Sequence, residues 1–452
     1  MASLPPVYFN KDTDSFAFST ARVRWIKIVQ DAVDDVEKAL DTAPQDTKHH
    51  SQGAEIVKLL QDLKKDIESD GVILGFEDDS TLVHQSYNAE LKGKNYTWLT
   101  GPWLVLENYL YRAINEFFVT RSEWFNYDIF DNLKSDSFNE SVHGVTELAT
   151  RYYQLVEKLN SKVEIDEESL KLLFFEFAEI SLWGNATDLS LLATATLEDI
   201  KSIQGAKARK DSEDKILTND LDQAWEELRS TKKPLKRVDF VLDNSGFELY
   251  TDLIFGLFLI DLKLADQIVL HTKDIPWMVS DVNIKDFYKL LSLLRDDTVF
   301  KEHRKELDFL INKIEFLNNN GSILLRTSPF WTLDHDFHKI SPSETKFGGA
   351  QVYHDLLESS LVIFKGDMNY RKLTGDRRWP STTPFVDSIG ALASEGLKVL
   401  ALRTVKADVI LSLKEGIYEQ VTNEWGKSNE NKLGWLSSGK YAVISFSNGL
   451  KK

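Results

Sequence analysis

The chain has 452 residues, 42% apolar and 28% charged, and its 54 lysines and arginines against 71 aspartates and glutamates leave a net charge of −17. That length suits about two or three domains, with ample apolar material for packed cores and, at 10 prolines, little that favours extended disorder. The absence of cysteine excludes disulfides, thiolate metal sites and cysteine nucleophiles, and suits a reducing compartment, while the negative balance disfavours nucleic acid or an anionic membrane as the main partner.

Residues 1–12 hold Pro5, Pro6 and Lys11 but no cationic stretch leading into an apolar one, so no secretory signal is expected. From Thr20 to about Leu159 the periodicity is helical. Val23, Trp25, Ile26, Ile28, Val29, Ala32, Val33, Val36 and Leu40 recur three and four apart, and the pattern returns at 56–67, 103–118 and 145–159. Polar, helix-breaking intervals at 42–53 and 91–96 separate these runs. Trp98, Trp103, Tyr109, Tyr111, Trp124 and Tyr127 read as core and interface packing, with a substrate wall as the alternative. Residues 203–236 are charged and lysine-rich, and surface helix and loop are expected there.

From about Arg237 short apolar runs alternate with helical ones. Strands are expected at 238–242, 267–271, 323–326, 361–364, 399–402 and 442–446, mostly without strict alternation, as in strands covered on both faces. Helical patterns lie between them, chiefly at 248–264 and 284–295. The order predicts an α/β fold: a doubly wound, mainly parallel sheet with helices on both faces, preceded by a helical domain. The change in texture puts the helical N-terminal domain at 1–190 and the α/β catalytic domain at 191–452. The densest apolar run, 253–260, is broken by Asp261 far short of the ~20 residues of a membrane span. No membrane partner is expected, and the location expected is cytoplasmic, with the nucleus also open.

In an open α/β sheet, ligands bind outside the carboxyl ends of the strands. The first of the expected strands runs into Asp243-Asn244-Ser245-Gly246, the second into a segment ending Ser280-Asp281, the fourth into Lys365-Gly366-Asp367-Met368-Asn369-Tyr370-Arg371-Lys372, and the fifth into Arg403-Thr404-Val405-Lys406. Asp243, Asn244 and Asp281 offer hard oxygen ligands suited to Mg²⁺ or Mn²⁺ rather than Zn²⁺. Gly246 allows a tight turn, and the following helix start presents N–H groups to an anion. The same four residues also suit an ordinary capped strand-to-helix turn, and spacing alone does not separate the two readings. Lys365, Arg371, Lys372, Arg377 and Arg378 face only Asp367 and Asp376 in sequence, local positive charge that suggests a bound anion or else a solvated cationic loop. Arg403 and Lys406 are further anion-binding candidates, or helix caps.

Other chemistries lack their signatures. There is no Gly-x-x-x-x-Gly-Lys-[Ser/Thr] loop, no Gly-x-Ser-x-Gly elbow and no His-Glu-x-x-His helix. His49 and His50 lie in a polar helical linker, and His335 and His338 are expected in a solvated loop. Gly246 stands alone where a dinucleotide or methyl-donor loop needs several glycines.

Asp243-Asn244-Ser245-Gly246-Phe247-Glu248, Ser280-Asp281-Val282, Gly366-Asp367-Met368-Asn369-Tyr370-Arg371-Lys372-Leu373, Arg403-Thr404-Val405-Lys406 and Trp183-Gly184-Asn185-Ala186-Thr187-Asp188-Leu189-Ser190 together resemble the metal-dependent damage-control phosphatases, formerly the "domain of unknown function 89" family. The Arg-Thr-x-Lys motif and the long helical N-terminal region resemble the carbohydrate-phosphate branch, in a fungal form. The likeness is loosest before Arg22 and between Asp296 and Asn320, and Met368 stands where the usual family form has leucine.

The resemblance implies a sugar-phosphate phosphatase acting on fructose 1-phosphate and fructose 6-phosphate, supported by Mn²⁺, Ni²⁺, Co²⁺ or Mg²⁺. It assigns the metal to Asp243, Asn244 and Asp281, and catalysis to Asp243, Asn244 and Lys406. Substrate contacts are expected from Asp281, Asp367, Met368, Asn369, Tyr370, Arg371, Arg403 and Lys406. Asn185 and Asp188 are expected to cap a helix or touch the ligand. The nucleophile is left open between a water at the metal and Asp243 itself. Two alternatives stand beside this reading: S-adenosylmethionine-dependent methyl transfer onto a protein glutamate, and a non-catalytic sugar-phosphate sensor.

Overall fold

The computed structural model describes residues 4–161, 166–184 and 214–451. Helix α1 (Trp25–Asp41) forms because Trp25, Ile28, Val29, Ala32, Val33 and Val36 fall on one face, and all six are buried. A single π-helical turn, Thr20–Arg24, leads into it. Helix α2 (Lys48–Glu68) begins inside the interval read as helix-breaking, because the Thr47 hydroxyl accepts the His50 N–H and satisfies a donor the helix start leaves orphaned. Helices α3 (Leu82–Leu91), α4 (Trp103–Val119), α5 (Asp131–Asn139), α6 (Val142–Asn160) and α7 (Glu167–Trp183) follow.

The sheet is built from β1 (Ile216–Asn219), β2 (Arg237–Val241), β3 (Gln267–Thr272), β4 (Ile323–Thr327), β5 (Leu361–Lys365), β6 (Val399–Thr404) and β7 (Ala442–Ser447). Their order is β1-β7-β6-β5-β2-β3-β4. Neighbours run parallel except β6 and β7, which are antiparallel. The six expected strands are all present; over 203–236 helix α8 (Leu221–Ser230) agrees with the surface helix and loop expected there, whereas strand β1 corrects it. The intervening helices are α9 (Phe247–Asp261), α10 (Ile284–Leu294), α11 (Arg304–Asn319), α12 (Gly349–Leu357), α13 (Gly366–Thr374) and α14 (Ile417–Trp425).

Strand alternation divides the core. On β5, Leu361 and Ile363 face the side covered by α6, α7, α9 and α11, while Val362 and Phe364 face the opposite core, with Trp331, Phe337 and Tyr370. A third core lies among α1, α2 and α4, and it takes in Ile275 and Trp277 from the loop after β3 and Ala407 from the loop after β6. Helices α1, α2 and α4 therefore sit on the carboxyl rim of the sheet. Fully buried Trp277 anchors that contact, worth roughly 1.5–3 kcal/mol for a large apolar side chain.

Candidate active site

Strand β2 pairs with β3 on one side and β5 on the other, so the strand order reverses beside it. At such a switch point the loops leave in opposite directions and open a crevice. A cavity of about 390 Å³ is lined there by Asp243 and Asn244 after β2, Met278 to Asp281 after β3, Asp367, Met368 and Arg371 on α13, and Lys406 after β6. The helical region closes it with Arg24, Lys27, Ile28, Asp31, Trp103 and Glu107.

Asn244 and Asp281 meet in an isolated antiparallel bridge between the two loops. The Ser245 N–H donates to the Ser280 carbonyl at 2.7 Å and the Val282 N–H to the Asp243 carbonyl at 2.8 Å, fixing the loops together. Asn244 is held on both ends of its amide: Nδ2 donates to Asp243 Oδ2 at 2.8 Å and Glu248 Oε2 at 2.9 Å, and Oδ1 accepts the Ser280 hydroxyl. Asp281 Oδ2 pairs with buried Lys273 Nζ at 2.9 Å. Gly366 has φ +80°, and a Cβ there would lie 1.8 Å from Asp243 Oδ2, so only glycine lets the end of β5 come this close to the carboxylate. Gly246, at φ +66°, turns the chain into α9.

Burial, with Asp281 and Glu248 beside it, raises the Asp243 carboxyl well above its ordinary range, and Lys273 and Lys406 act in the opposite sense. Burial raises Asp281 as well, against the pull of Lys273. Negative charge is thus concentrated in a desolvated place lined by hard oxygens. These are the conditions a divalent cation relieves, and the three side chains fit one chemically. A second carboxylate group, Asp128, Asp131 and Asp286, gathers ligand atoms within 4.8 Å of one another. A lysine already fills that one: Lys134 Nζ lies 3.1 Å from Asp128 and 2.9 Å from Asp286.

The basic segment 365–378 does not form the anion site its local charge suggested, because most of its partners come from far along the chain. Lys365 is buried against Asp252 at 2.9 Å and Glu248 at 3.2 Å. Arg371 is buried between Glu107 at 2.7 Å and Asp376 at 2.8 Å, with its guanidinium 3.7 Å from the Trp103 ring centroid. Lys372 donates to the Leu333 and Trp331 carbonyls, and burial brings its pKa down to about 7. Arg377 donates to the Pro5 carbonyl, and Arg378 pairs with Asp12 and Asp14.

Of the expected site residues, Asp243, Asn244, Asp281, Asp367, Met368, Arg371 and Lys406 come together at the cavity. Asn369, Tyr370 and Arg403 stand behind it. Asn369 Nδ2 donates to the Val241, Leu242 and Lys365 carbonyls, tying β2 to α13. Tyr370 stacks on Phe385, and Arg403 pairs with Asp367 and lies 4.4 Å from the Tyr370 ring centroid. These three support the site rather than line it. Asn185 and Asp188 lie outside the described residues.

Histidines 335 and 338 are half-buried rather than solvated, and His338 Nε2 bonds the Ser388 carbonyl at 2.7 Å. His49 stacks on Trp124. Trp103, read as packing, both packs and lines the cavity. Arg24, Lys27, Asp31 and Glu107 were not singled out, since no local pattern marks a helical charge as facing a distant strand end.

Fold and site define an α/β protein whose switch-point cavity combines hard oxygens with a lysine. A family model described as "Damage-control phosphatase ARMT1-like domain" matches residues 20–421. The chain is 33% identical over 464 residues to the damage-control phosphatase ARMT1 of Bos taurus, covering 99% of each. It is 32% identical over 461 residues to the protein of the same name from Danio rerio, covering 98% of this chain and 97% of that one. The crystal structure of a DUF89 family protein from Pyrococcus horikoshii overlaps 86% of this chain and 92% of that one at 12% identity, with a TM-score of 0.34. The chain belongs to the ARMT1-like damage-control phosphatase family, and with it to the phosphatases.

Proposed function

We propose that this protein hydrolyses sugar phosphates, fructose 1-phosphate and fructose 6-phosphate among them, in the cytoplasm, with a divalent metal held by Asp243, Asn244 and Asp281. The observation that carries the reading is the meeting of those three side chains, from two separate strand ends, in a cavity that Lys406 also faces. A bound divalent ion would supply charge neutralisation at a phosphoryl oxygen. Lys406 Nζ has no hydrogen-bond or ion-pair partner among the described residues, which leaves it available to a phosphoryl oxygen. Lys273 and Ser280 hold Asp281 and Asn244 in place, so little reorganisation is needed as charge develops. Arg371 keeps Trp103 and Glu107 fixed in the cavity wall.

The test is phosphate release from a panel of sugar phosphates with Mn²⁺, run beside labelled methyl transfer from a sulfonium donor. Release from fructose phosphates and no methylation is expected. Ligand-induced thermal stabilisation without release would mean a sensor, and methylation without release a transferase. No observation on this chain favours either alternative.

A further inference from the structure

Four cations face the cavity: Arg24, Lys27, Arg371 and Lys406. Arg371 pairs through its two terminal nitrogens with Glu107 and Asp376. Lys27 pairs with Asp31, one helical turn on, at 2.8 Å. Lys406 is held beside the oxygen cluster by its own backbone N–H, bonded to Asp367 at 2.9 Å. Arg24 remains, exposed, with no hydrogen bond or ion pair to any described residue.

Its position has a local cause. Thr20–Arg24 is a π-helical turn in which the Trp25 N–H reaches back five residues to the Thr20 carbonyl. Such turns insert a residue into a helix and recur at functional sites. Here the insertion leaves Trp25 buried and Arg24 exposed beside it. From there Arg24, Lys27, Ile28 and Asp31 follow the spacing of one helix face, and all four line the cavity.

Resting on the sugar-phosphate reading above, we propose that Arg24 is a specificity-determining residue that binds a second anionic group of the substrate, a carboxylate or a further phosphate, away from the ester being cleaved. The guanidinium offers a planar fork of donors that matches such oxyanions bidentately, which a hydroxyl does not. Asp31, the nearby carboxylate on the same face, is taken by Lys27, so on this helix face the free cation is Arg24. In a chain of net charge −17, an unpaired cation at a pocket mouth attracts an ester with two anionic groups over an ester with one.

The experiment compares wild type, Arg24→Ala and Arg24→Lys on fructose 6-phosphate, fructose 1,6-bisphosphate and 6-phosphogluconate with Mn²⁺. In Arg24→Ala the ratio of kcat/KM for the two esters with a second anionic group to that for fructose 6-phosphate should fall about tenfold, through KM, and Arg24→Lys should recover part of it. An unchanged ratio, or an equal fall in kcat for all three esters, overturns the proposal. Should wild type hydrolyse no ester, the phosphatase reading fails by itself. Calorimetric binding of the bisphosphate with Mg²⁺ then judges Arg24: about tenfold weaker binding in Arg24→Ala upholds its role, and equal affinity overturns it.

Discussion

Asp367 Oδ1 accepts the backbone N–H of Lys406 at 2.9 Å, across 39 residues of chain. The same oxygen accepts Arg403 Nε at 2.8 Å. One carboxylate on the first turn of α13 therefore fixes the loop after β6, and with it the ammonium that faces the oxygen cluster. The paired motifs Asp367-Met368-Asn369-Tyr370-Arg371 and Arg403-Thr404-Val405-Lys406 are one structural unit.

Lys406→Ala is accordingly expected to lower kcat/KM for fructose 6-phosphate by about two orders of magnitude, the loss typical of one charge-stabilising donor. Mn²⁺ should still raise the thermal midpoint of this variant. Asp367→Ala should cost stability as well, about 3–5 kcal/mol by urea unfolding, because it leaves Arg403 buried without its carboxylate. Loss of the Mn²⁺ response in Lys406→Ala would make that lysine structural.

Asp243→Asn separates function from fold. It should abolish turnover, and Mn²⁺ should no longer raise the thermal midpoint. Without metal the variant should unfold no more easily than wild type, since it removes a buried negative charge from beside Asp281 and Glu248. Wild-type turnover in Asp243→Asn would take this residue out of the site.

The fold was largely legible because apolar runs covered on both faces, such as 361–364 and 399–402, announce central strands directly. Strand β1 was not, since its four residues lie at a sheet edge inside a lysine-rich stretch. The antiparallel pairing of β7 depends on which neighbour it finds, which no local pattern encodes. At the site, Asp243 and Asp281 were legible as residues following strands. The charge of 365–378 misled because Glu107, Glu248, Asp252, Asp12 and Asp14 neutralise it from distant positions.

Arg371 exemplifies the difference between a charge in sequence and a charge in space. Arg371→Ala leaves Glu107 and Asp376 buried without a counter-charge and removes the face stacked on Trp103, so a loss of about 3–5 kcal/mol is expected in chemical denaturation. Arg371→Lys keeps the charge but not the fork that bridges two carboxylates, and should still lose ~1–2 kcal/mol. If Arg371→Ala unfolds like wild type while KM rises, the residue is a substrate contact and not a buried brace.

The N-terminal segment around Ser15 and Phe16, a strap onto the loop after β6, supplies a pH-dependent contact. Asp408 Oδ2 accepts the Ser15 hydroxyl at 2.8 Å and the Phe16 N–H at 3.0 Å, joining the start of the helical region to the loop after β6. Burial raises the Asp408 carboxyl to about 6, with nearby Asp376 adding to the rise, while the two hydrogen bonds and Arg371 oppose it. A raised folded-state pKa means that the unfolded chain releases this proton first, near the ordinary value of 3.8. Stability from this group is therefore full below about pH 4 and falls as pH rises toward about 6, by roughly 1–3 kcal/mol, then stays level. Asp408→Asn keeps one oxygen able to accept both hydrogen bonds and removes the charge. Its thermal midpoint should exceed that of wild type at pH 7.5 and converge with it near pH 4, measured by calorimetry across that range. A variant less stable than wild type at pH 7.5 would mean that the ionised carboxylate holds the strap.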